Sequence, residues 1–240
     1  HAGITVRALL EQMRDGRVVV RRLTVPEGLT VAQVFDLVSA AEGLTGALPA
    51  PAPEGSLLPE TYNYSWGDGR AELITRMMRA MEEALADAWA KRTPGLPLTA
   101  PKDLATLASI VEKETGQAVE RPRVAAVFVN RLRKNMRLQS DPTVIYGITN
   151  GKSTLDRALT RADLERPTAY NSYTNHGLPP GPIANPGRAS LIAASQPGNY
   201  EDLYFVADGT GGHAFAKSLE EHNRNVARWR RSQQDKAKTP

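Results

Sequence analysis

The sequence of 240 residues contains no cysteine, which excludes disulfide bonds and thiolate metal sites. The histidines, His1, His176, His213 and His222, lack the close spacing of zinc ligands, so we expect neither a metal nor a cofactor. No apolar run approaches the roughly 20 residues that cross a membrane. A net charge of +4, without clustered basic and aromatic residues, does not indicate a nucleic-acid partner.

The apolar content is sufficient for a packed core, since 41% hydrophobic and 23% charged residues are globular proportions. The stretch ALPAPAP at 47–53 predicts a stiff linker between an N-terminal unit, 1–46, and a larger domain, 54–240. In the first unit we expect a short helix between Val6 and Met13 and a strand at 18–25. A second helix follows, opened by a capping box of Thr30 and Gln33.

The larger domain has the apolar spacing of several helices. Long helices are expected at 70–91, 101–115 and 121–134, short ones near Asp141, Thr160 and Asn185, and a basic one from 218. A methionine stripe in the first of them indicates core packing. The run at 203–207 predicts a strand that pairs with 213–216. The fold class is therefore α+β: a small N-terminal unit and a mostly helical domain with a short β element.

Two glutamates in the stretch LASIVEKETG, residues 107–116, differ in their position on the predicted helix. At about 100° per residue, Glu114 falls in the apolar sector below Ile110 and Val111. Glu112 points about 160° away and is expected to be a surface charge. A carboxyl group on a buried face has a raised pKa, as a general acid requires. The alternative is that Glu114 pairs with a nearby arginine such as Arg131.

Residues 107–148, LASIVEKETGQAVERPRVAAVFVNRLRKNMRLQSDPTVIYGI, resemble the signature region of the MltG (YceG-like) family of endolytic murein transglycosylases. The stretches LLPETYNY (57–64), PTAYNSYTNHGLPPGPIANPG (167–187) and LYFVADGTGGHAFAKSLEEHN (203–223) match the same family in the same order. The N-terminal unit is similar to the family's LysM-like subdomain. We expect it to be incomplete, because the family's preceding strand and membrane helix are missing from the sequence.

The resemblance implies that Glu114, the second glutamate of EKET, is the catalytic acid and then base. It implies cleavage of bonds between N-acetylmuramic acid and N-acetylglucosamine within peptidoglycan strands, giving 1,6-anhydro ends. It also implies a bacterial envelope protein, anchored in the cytoplasmic membrane through a segment outside this chain, with its catalytic domain on the periplasmic side. Expected partners are glycan strands and cell-wall synthesis proteins.

Polar and rigid loop residues are the candidates for sugar binding. We expect substrate contacts from Gln139, Ser140, Tyr170, Asn171, Tyr173, Gly177, Leu178 and Pro179. The alternatives are that the tyrosine loop packs on the core and that the glycine-proline segment is a structural turn. His213 is expected to be structural.

Two alternatives to a transglycosylase remain open. A muramidase on the same site would need a second carboxylate to activate water, and Asp141 is the candidate. An aspartate in Ser140-Asp141-Pro142 is also what the start of a helix favours. A non-catalytic scaffold of the cell wall or division complex would not depend on Glu114.

Overall fold

The computed structural model describes residues 5–7, 10–11 and 19–238. The short helix expected between Val6 and Met13 lies largely outside these residues. The strands are β1 (Arg21–Thr24), β2 (Thr61–Tyr64), β3 (Tyr204–Ala207) and β4 (His213–Ala216). The helices are α1 (Val31–Ala40), α2 (Arg70–Ala90), α3 (Pro101–Glu114), α4 (Arg121–Arg133), α5 (Asp141–Thr149), α6 (Arg161–Glu165), α7 (Arg188–Ser195) and α8 (Leu219–Lys238).

The α+β fold class is confirmed, and the elements begin and end close to the predicted residues. The expected capping box is present, since Thr30 accepts from the Gln33 backbone, and a second one opens α6, where Thr160 accepts from the Asp163 backbone. The predicted hairpin forms as well, with β3 antiparallel to β4. No helix in the part of the chain that the structure describes is long and apolar enough to cross a membrane.

A smaller hydrophobic cluster surrounds α1. Strand β1, which precedes the 47–53 segment, pairs antiparallel with β2, which follows it. Val34 and Val38 of α1 are fully buried against residues that follow this segment, among them Leu57 and Met77. The segment itself forms neither helix nor strand. The division of the chain at this linker stays a prediction.

The main hydrophobic core has α3 at its centre. Leu104, Leu107 and Ile110 of this helix are fully buried among residues of α4 and α7, such as Phe128 and Leu191. The expected methionine stripe is confirmed as core, because Met77 and Met81 of α2 are almost completely buried. The hairpin of β3 and β4 lies between α4 and α8.

The prediction that Glu112 is a surface charge is wrong. Only 5% of its side chain is exposed, and its Oε1 lies 3.4 Å from Nη2 of Arg121, whose side chain is 11% exposed. Its Oε2 accepts from the backbone N–H of Gly187 at 2.9 Å. The helical wheel identifies the most apolar side of α3. It does not reveal that the start of α7 covers the other side of this helix, where Glu112 lies.

Buried polar contacts attach the α1 region to the larger core. Asn185 is fully buried, accepts from the Leu57 N–H and donates to the Leu29 carbonyl. The Thr30 hydroxyl donates to the Gly151 carbonyl at 2.7 Å. These bonds place the first turn of α1 beside the loop that follows α5.

Candidate active site

Glu114 is the last residue of α3, and its carboxyl group faces a pocket of about 300 Å³. The pocket is built from five separate parts of the chain: the end of α3, helix α4, the segment that leads into α5, the loop that contains Tyr173, and strand β3. The lining residues are Glu114, Arg131, Leu138, Gln139, Asp141, Tyr173, Phe205 and Val206. The volume is at the lower end of the range for small-molecule sites.

Ser140 holds one oxygen of the Glu114 carboxyl group. Its hydroxyl donates to Glu114 Oε1 at 2.5 Å. Ser140 occupies the N-cap position of α5, yet its side chain makes no capping hydrogen bond to that helix. Among the described residues, no hydrogen bond to Glu114 Oε2 is present, so this oxygen is available to carry a proton toward the pocket.

Buried hydroxyl groups fix Ser140 in turn. The backbone N–H of Ser140 donates to Ser172 Oγ at 2.9 Å, and the hydroxyls of Ser172 and Thr143 lie 2.7 Å apart. The Thr143 hydroxyl also donates to the Ser140 carbonyl at 2.6 Å. All three residues are almost completely buried. The loop that contains Ser172 therefore positions the residue that contacts Glu114.

The two neighbours of Ser140 are also held in place. Gln139 has φ of +51°, a left-handed conformation that is uncommon outside glycine and asparagine and that often marks functional sites. Its backbone N–H donates to the Ser172 carbonyl at 3.1 Å. Asp141 accepts a 2.6 Å hydrogen bond from the Tyr173 hydroxyl. Gln139 and Asp141 thus present an amide and a carboxylate at one edge of the pocket.

Burial raises the pKa of Glu114 to about 7. The hydrogen bond from Ser140 opposes this rise, and the negative charge of Asp141 adds to it. Asp141 also helps to raise the pKa of the Tyr173 phenol, after desolvation as the main cause. Glu114 can therefore hold or release a proton close to neutral pH.

The charge of Arg131 lowers the pKa of Glu114 only as a minor influence, behind burial and the effects of Ser140 and Asp141. Its guanidinium donates to the carbonyls of Leu203 at 2.6 Å and Leu138 at 2.7 Å, and the whole residue is 7% exposed. No ion pair between Arg131 and Glu114 occurs in the described part of the chain. The alternative of a structural pair is not supported, and Arg131 instead anchors β3 to the segment before α5.

The structure brings some of the expected binding residues to Glu114 and places others elsewhere. Gln139 and Tyr173 line the pocket, and Ser140 bonds to Glu114. Asn171 lies buried beneath the loop, where its amide donates to the Leu164 and Arg166 carbonyls.

The remaining candidates are not among the lining residues. Tyr170 packs against Tyr146 with ring centroids 4.7 Å apart. Leu178 packs on the main core, Pro179 is buried, and Gly177 adopts φ of +79°. Substrate contacts by Tyr170, Asn171, Gly177, Leu178 and Pro179 stay predictions.

Sequence reasoning missed five residues of the site, among them Leu138 of the lining. Phe205 and Val206 line the pocket from β3, but an apolar strand gives no sign of a site. Thr143 and Ser172 form the hydroxyl network, and only the position of Ser172 within the motif Tyr170-Asn171-Ser172-Tyr173 could have indicated it. His213 contacts Glu120, with Nδ1 2.8 Å from Oε2, as a structural histidine does.

In the part of the chain that the structure describes, no three His, Cys, Asp or Glu side chains are grouped as a metal site would need. The site's chemistry is that of one carboxyl group with a pKa near neutrality, held by a hydroxyl donor and flanked by a second carboxylate. Proteins with such a site are equipped for proton transfer to and from a bound molecule.

The chain belongs to the YceG-like family, whose sequence profile matches residues 1–228. It is 38% identical over 183 residues to an endolytic murein transglycosylase of Bacillus subtilis (strain 168), covering 76% of this chain and 49% of that protein. It is 35% identical over 179 residues to an endolytic murein transglycosylase of Streptococcus pneumoniae serotype 2 (strain D39), covering 72% and 32%. The chain therefore spans about half the length of the first relative and about a third of the second.

The fold is similar to a solved member of the family. A crystal structure of a yceG-like protein from Listeria monocytogenes superposes with a TM-score of 0.69 at 32% sequence identity. The match covers 92% of this chain and 81% of that one. The expected family membership is thereby confirmed.

Proposed function

We propose that this chain is the catalytic part of an endolytic lytic transglycosylase. It cleaves bonds between N-acetylmuramic acid and N-acetylglucosamine within peptidoglycan strands. The observation that carries the proposal is Glu114: a single carboxyl group in a pocket, with burial raising its pKa to about 7. The similarity to the endolytic murein transglycosylases of Bacillus subtilis and Streptococcus pneumoniae supports the substrate class.

In the first step Glu114 acts as a general acid. Its protonated Oε2 donates to the glycosidic oxygen as the bond between C1 and that oxygen breaks. The sugar flattens toward an oxocarbenium-like state as this bond lengthens. The raised pKa keeps about half of the carboxyl groups protonated at pH 7, and Ser140 holds Oε1 so that the other oxygen is left for the substrate.

In the second step the same group acts as a general base. The Glu114 carboxylate takes the proton from the muramoyl C6 hydroxyl while the hydroxyl oxygen forms a bond to C1. The product is a 1,6-anhydromuramoyl end, and Glu114 is protonated again. No water enters the balance, so one carboxyl group is sufficient.

Gln139 and Tyr173 line the pocket as candidates for contacts with the acetamido and hydroxyl groups of the sugar. Asp141 supports the acid form of Glu114, because its negative charge helps to raise that pKa. The Tyr173 hydroxyl, bonded to Asp141, fixes the carboxylate at the pocket edge.

A muramidase is the second candidate, and one observation favours it. Asp141 lines the same pocket as Glu114, so a second carboxylate is available to activate water. Asp141 is also the first residue of α5, the helix start expected from the sequence. A helix start and a place in the pocket are compatible, so the reaction product and the effect of Asp141→Asn distinguish a transglycosylase from a hydrolase.

The remaining assignments concern the whole protein. We propose that the α1 region is a LysM-like subdomain and that the protein acts in the bacterial envelope, anchored to the cytoplasmic membrane outside this chain. Cell-wall synthesis proteins are the proposed partners.

Release of soluble fragments from purified peptidoglycan distinguishes an enzyme from a non-catalytic scaffold most directly. We expect the chain to release fragments and Glu114→Gln to release none above background. Glu72→Gln, which changes an exposed glutamate at the start of α2, is the matched control and retains full activity. Equal release by the wild type and Glu114→Gln would contradict the proposal.

A further inference from the structure

We propose that a second pocket, next to the Glu114 pocket, binds another sugar unit of the same strand and directs the free lactyl carboxylate of a muramoyl unit without a stem peptide to Lys113. The pocket has a volume of about 330 Å³ and lies between the first turn of α1 and helix α5. The inference rests on the proposed function, because it takes a murein strand as the ligand.

Consecutive residues line the two pockets at two places, the end of α3 and the start of α5. Lys113 lines the second pocket and Glu114 the first, side by side at the end of α3. Pro142 lines the second and Asp141 the first, side by side at the start of α5. A glycan that crosses the first turn of α5 would thus leave the catalytic pocket and enter the second. Cleavage within a strand needs such room, because the chain of sugars continues beyond the bond that breaks.

The lining has the two kinds of surface that a sugar needs. Ile145, Tyr146 and Ile183 offer apolar area for the C–H face of the ring. Gln33, Lys113 and Ser153 offer polar groups.

These polar groups are available to a ligand. Among the described residues, the Gln33 side-chain N–H groups and the Ser153 hydroxyl have no hydrogen-bond partner. Lys113 bonds only to the Gly28 carbonyl, at 3.2 Å, and makes no ion pair in that part of the chain.

The charge at this pocket favours an acid. Lys113 is exposed and is the one charged side chain among the described lining residues. Two carboxyl groups behind the lining are already bonded within the protein: Glu54 accepts from the Tyr146 hydroxyl at 3.3 Å, and Asp156 accepts from the Thr154 hydroxyl at 2.8 Å. The ammonium of Lys113 is therefore placed to meet a carboxylate on the ligand, such as the lactyl carboxylate of a muramoyl unit that carries no stem peptide.

Contacts within the protein hold one wall of the pocket together. The Thr30 hydroxyl donates to the Gly151 carbonyl and so joins α1 to the loop after α5. Gly151 has φ of +70°, and a Cβ there would meet Tyr146 Cε2 at 2.9 Å and Glu54 Oε2 at 3.1 Å. Walls that are fixed by such contacts lower the cost of binding.

The test measures binding in the Glu114→Gln background, so that the ligand is not cleaved. The probes are a peptide-free murein tetrasaccharide with free lactyl carboxylates and the neutral N-acetylglucosamine tetramer. Lys113→Gln keeps a donor for the Gly28 carbonyl and removes the charge. We expect it to raise Kd for the acidic probe about tenfold at low salt and to leave Kd for the neutral probe unchanged. Ser153→Trp fills the pocket and weakens both probes.

The matched control is Lys152→Gln, which removes an exposed charge from the loop that contains Ser153 but lies outside the lining. It leaves both dissociation constants unchanged. Equal effects of Lys113→Gln and Lys152→Gln on binding would overturn this inference. It would also be overturned if neither Lys113→Gln nor Ser153→Trp changed either dissociation constant. Provided that the Glu114→Gln protein binds the probes and the wild type cleaves murein, these outcomes leave the proposed function standing. If the wild type neither binds nor cleaves murein strands, the proposed function fails as well.

Discussion

The Ser140 hydroxyl donates a 2.5 Å hydrogen bond to Glu114 Oε1 and so joins two residues that are 26 positions apart in the chain. Glu114 ends α3, and Ser140 stands at the N-cap of α5. The buried hydroxyls of Ser172 and Thr143 fix Ser140 through hydrogen bonds to its backbone N–H and carbonyl. The orientation of the Glu114 carboxyl group is thus fixed where α3, α5 and the loop of Ser172 contact one another.

The pH dependence of cleavage follows from Glu114. Because the acid must be protonated to donate, we expect kcat/KM to be level below pH 7 and to fall above an apparent pKa of about 7. Ser140→Ala removes a bond that lowers this pKa, so the fall moves to higher pH. Loss of orientation also lowers kcat by about tenfold.

The measurement is a pH–rate profile of fragment release. Ser39→Ala, which changes an exposed serine of α1, is the control and reproduces the wild-type profile. A profile of Ser140→Ala that matches the wild type in both rate and shape would contradict the role of this hydrogen bond.

Asp141→Asn separates the two reaction types. In a transglycosylase the substitution removes a negative charge that raises the pKa of Glu114, so the fall in rate moves to lower pH. Cleavage at pH 5.5 then stays within about threefold of the wild type, since asparagine can still accept from Tyr173. A loss of about 100-fold or more at every pH would instead identify Asp141 as the general base of a hydrolase.

Glu112 is a structural glutamate, and its removal is expected to destabilise the fold. Glu112→Ala leaves Arg121 with Glu27 as its remaining carboxylate partner and leaves the Gly187 N–H without an acceptor. We expect the free energy of unfolding to fall by about 2 kcal/mol in urea titrations. The control is Glu83→Ala, which removes an exposed i,i+4 pair with Arg79 and changes stability little. Similar small effects of both substitutions would show that the contact is not stabilising.

Glu114→Gln is expected to stabilise the protein above neutral pH. The folded pKa, about 7, lies above the unfolded value near 4.5, so the folded state binds the proton more tightly and loses stability as pH rises between these values. The neutral amide avoids this cost. At pH 8 we expect a gain of up to about 3 kcal/mol over the wild type, and at pH 4 no difference. Thermal unfolding at both pH values measures it, and a gain independent of pH would contradict the raised pKa.

The sequence identifies the catalytic candidate, because Glu114 interrupts the apolar sector of a helix whose length and caps are local properties. The same wheel gives the wrong environment for Glu112, since no local pattern reveals that the start of α7 covers the other side of α3. The bond from Ser140 is equally hidden: serine at a helix start predicts a cap, but tertiary contact diverts its hydroxyl to Glu114. The left-handed Gln139 and the pocket wall from Phe205 also depend on contacts between distant segments.

The mass of the products tests the central claim most directly. Purified peptidoglycan strands are digested with the wild type and with Glu114→Gln, and the fragments are analysed by mass spectrometry. We predict muropeptides lighter by one water at the muramoyl end with the wild type and none with the variant. Reducing muramoyl ends from the wild type would contradict a transglycosylase and assign the attacking water to Asp141.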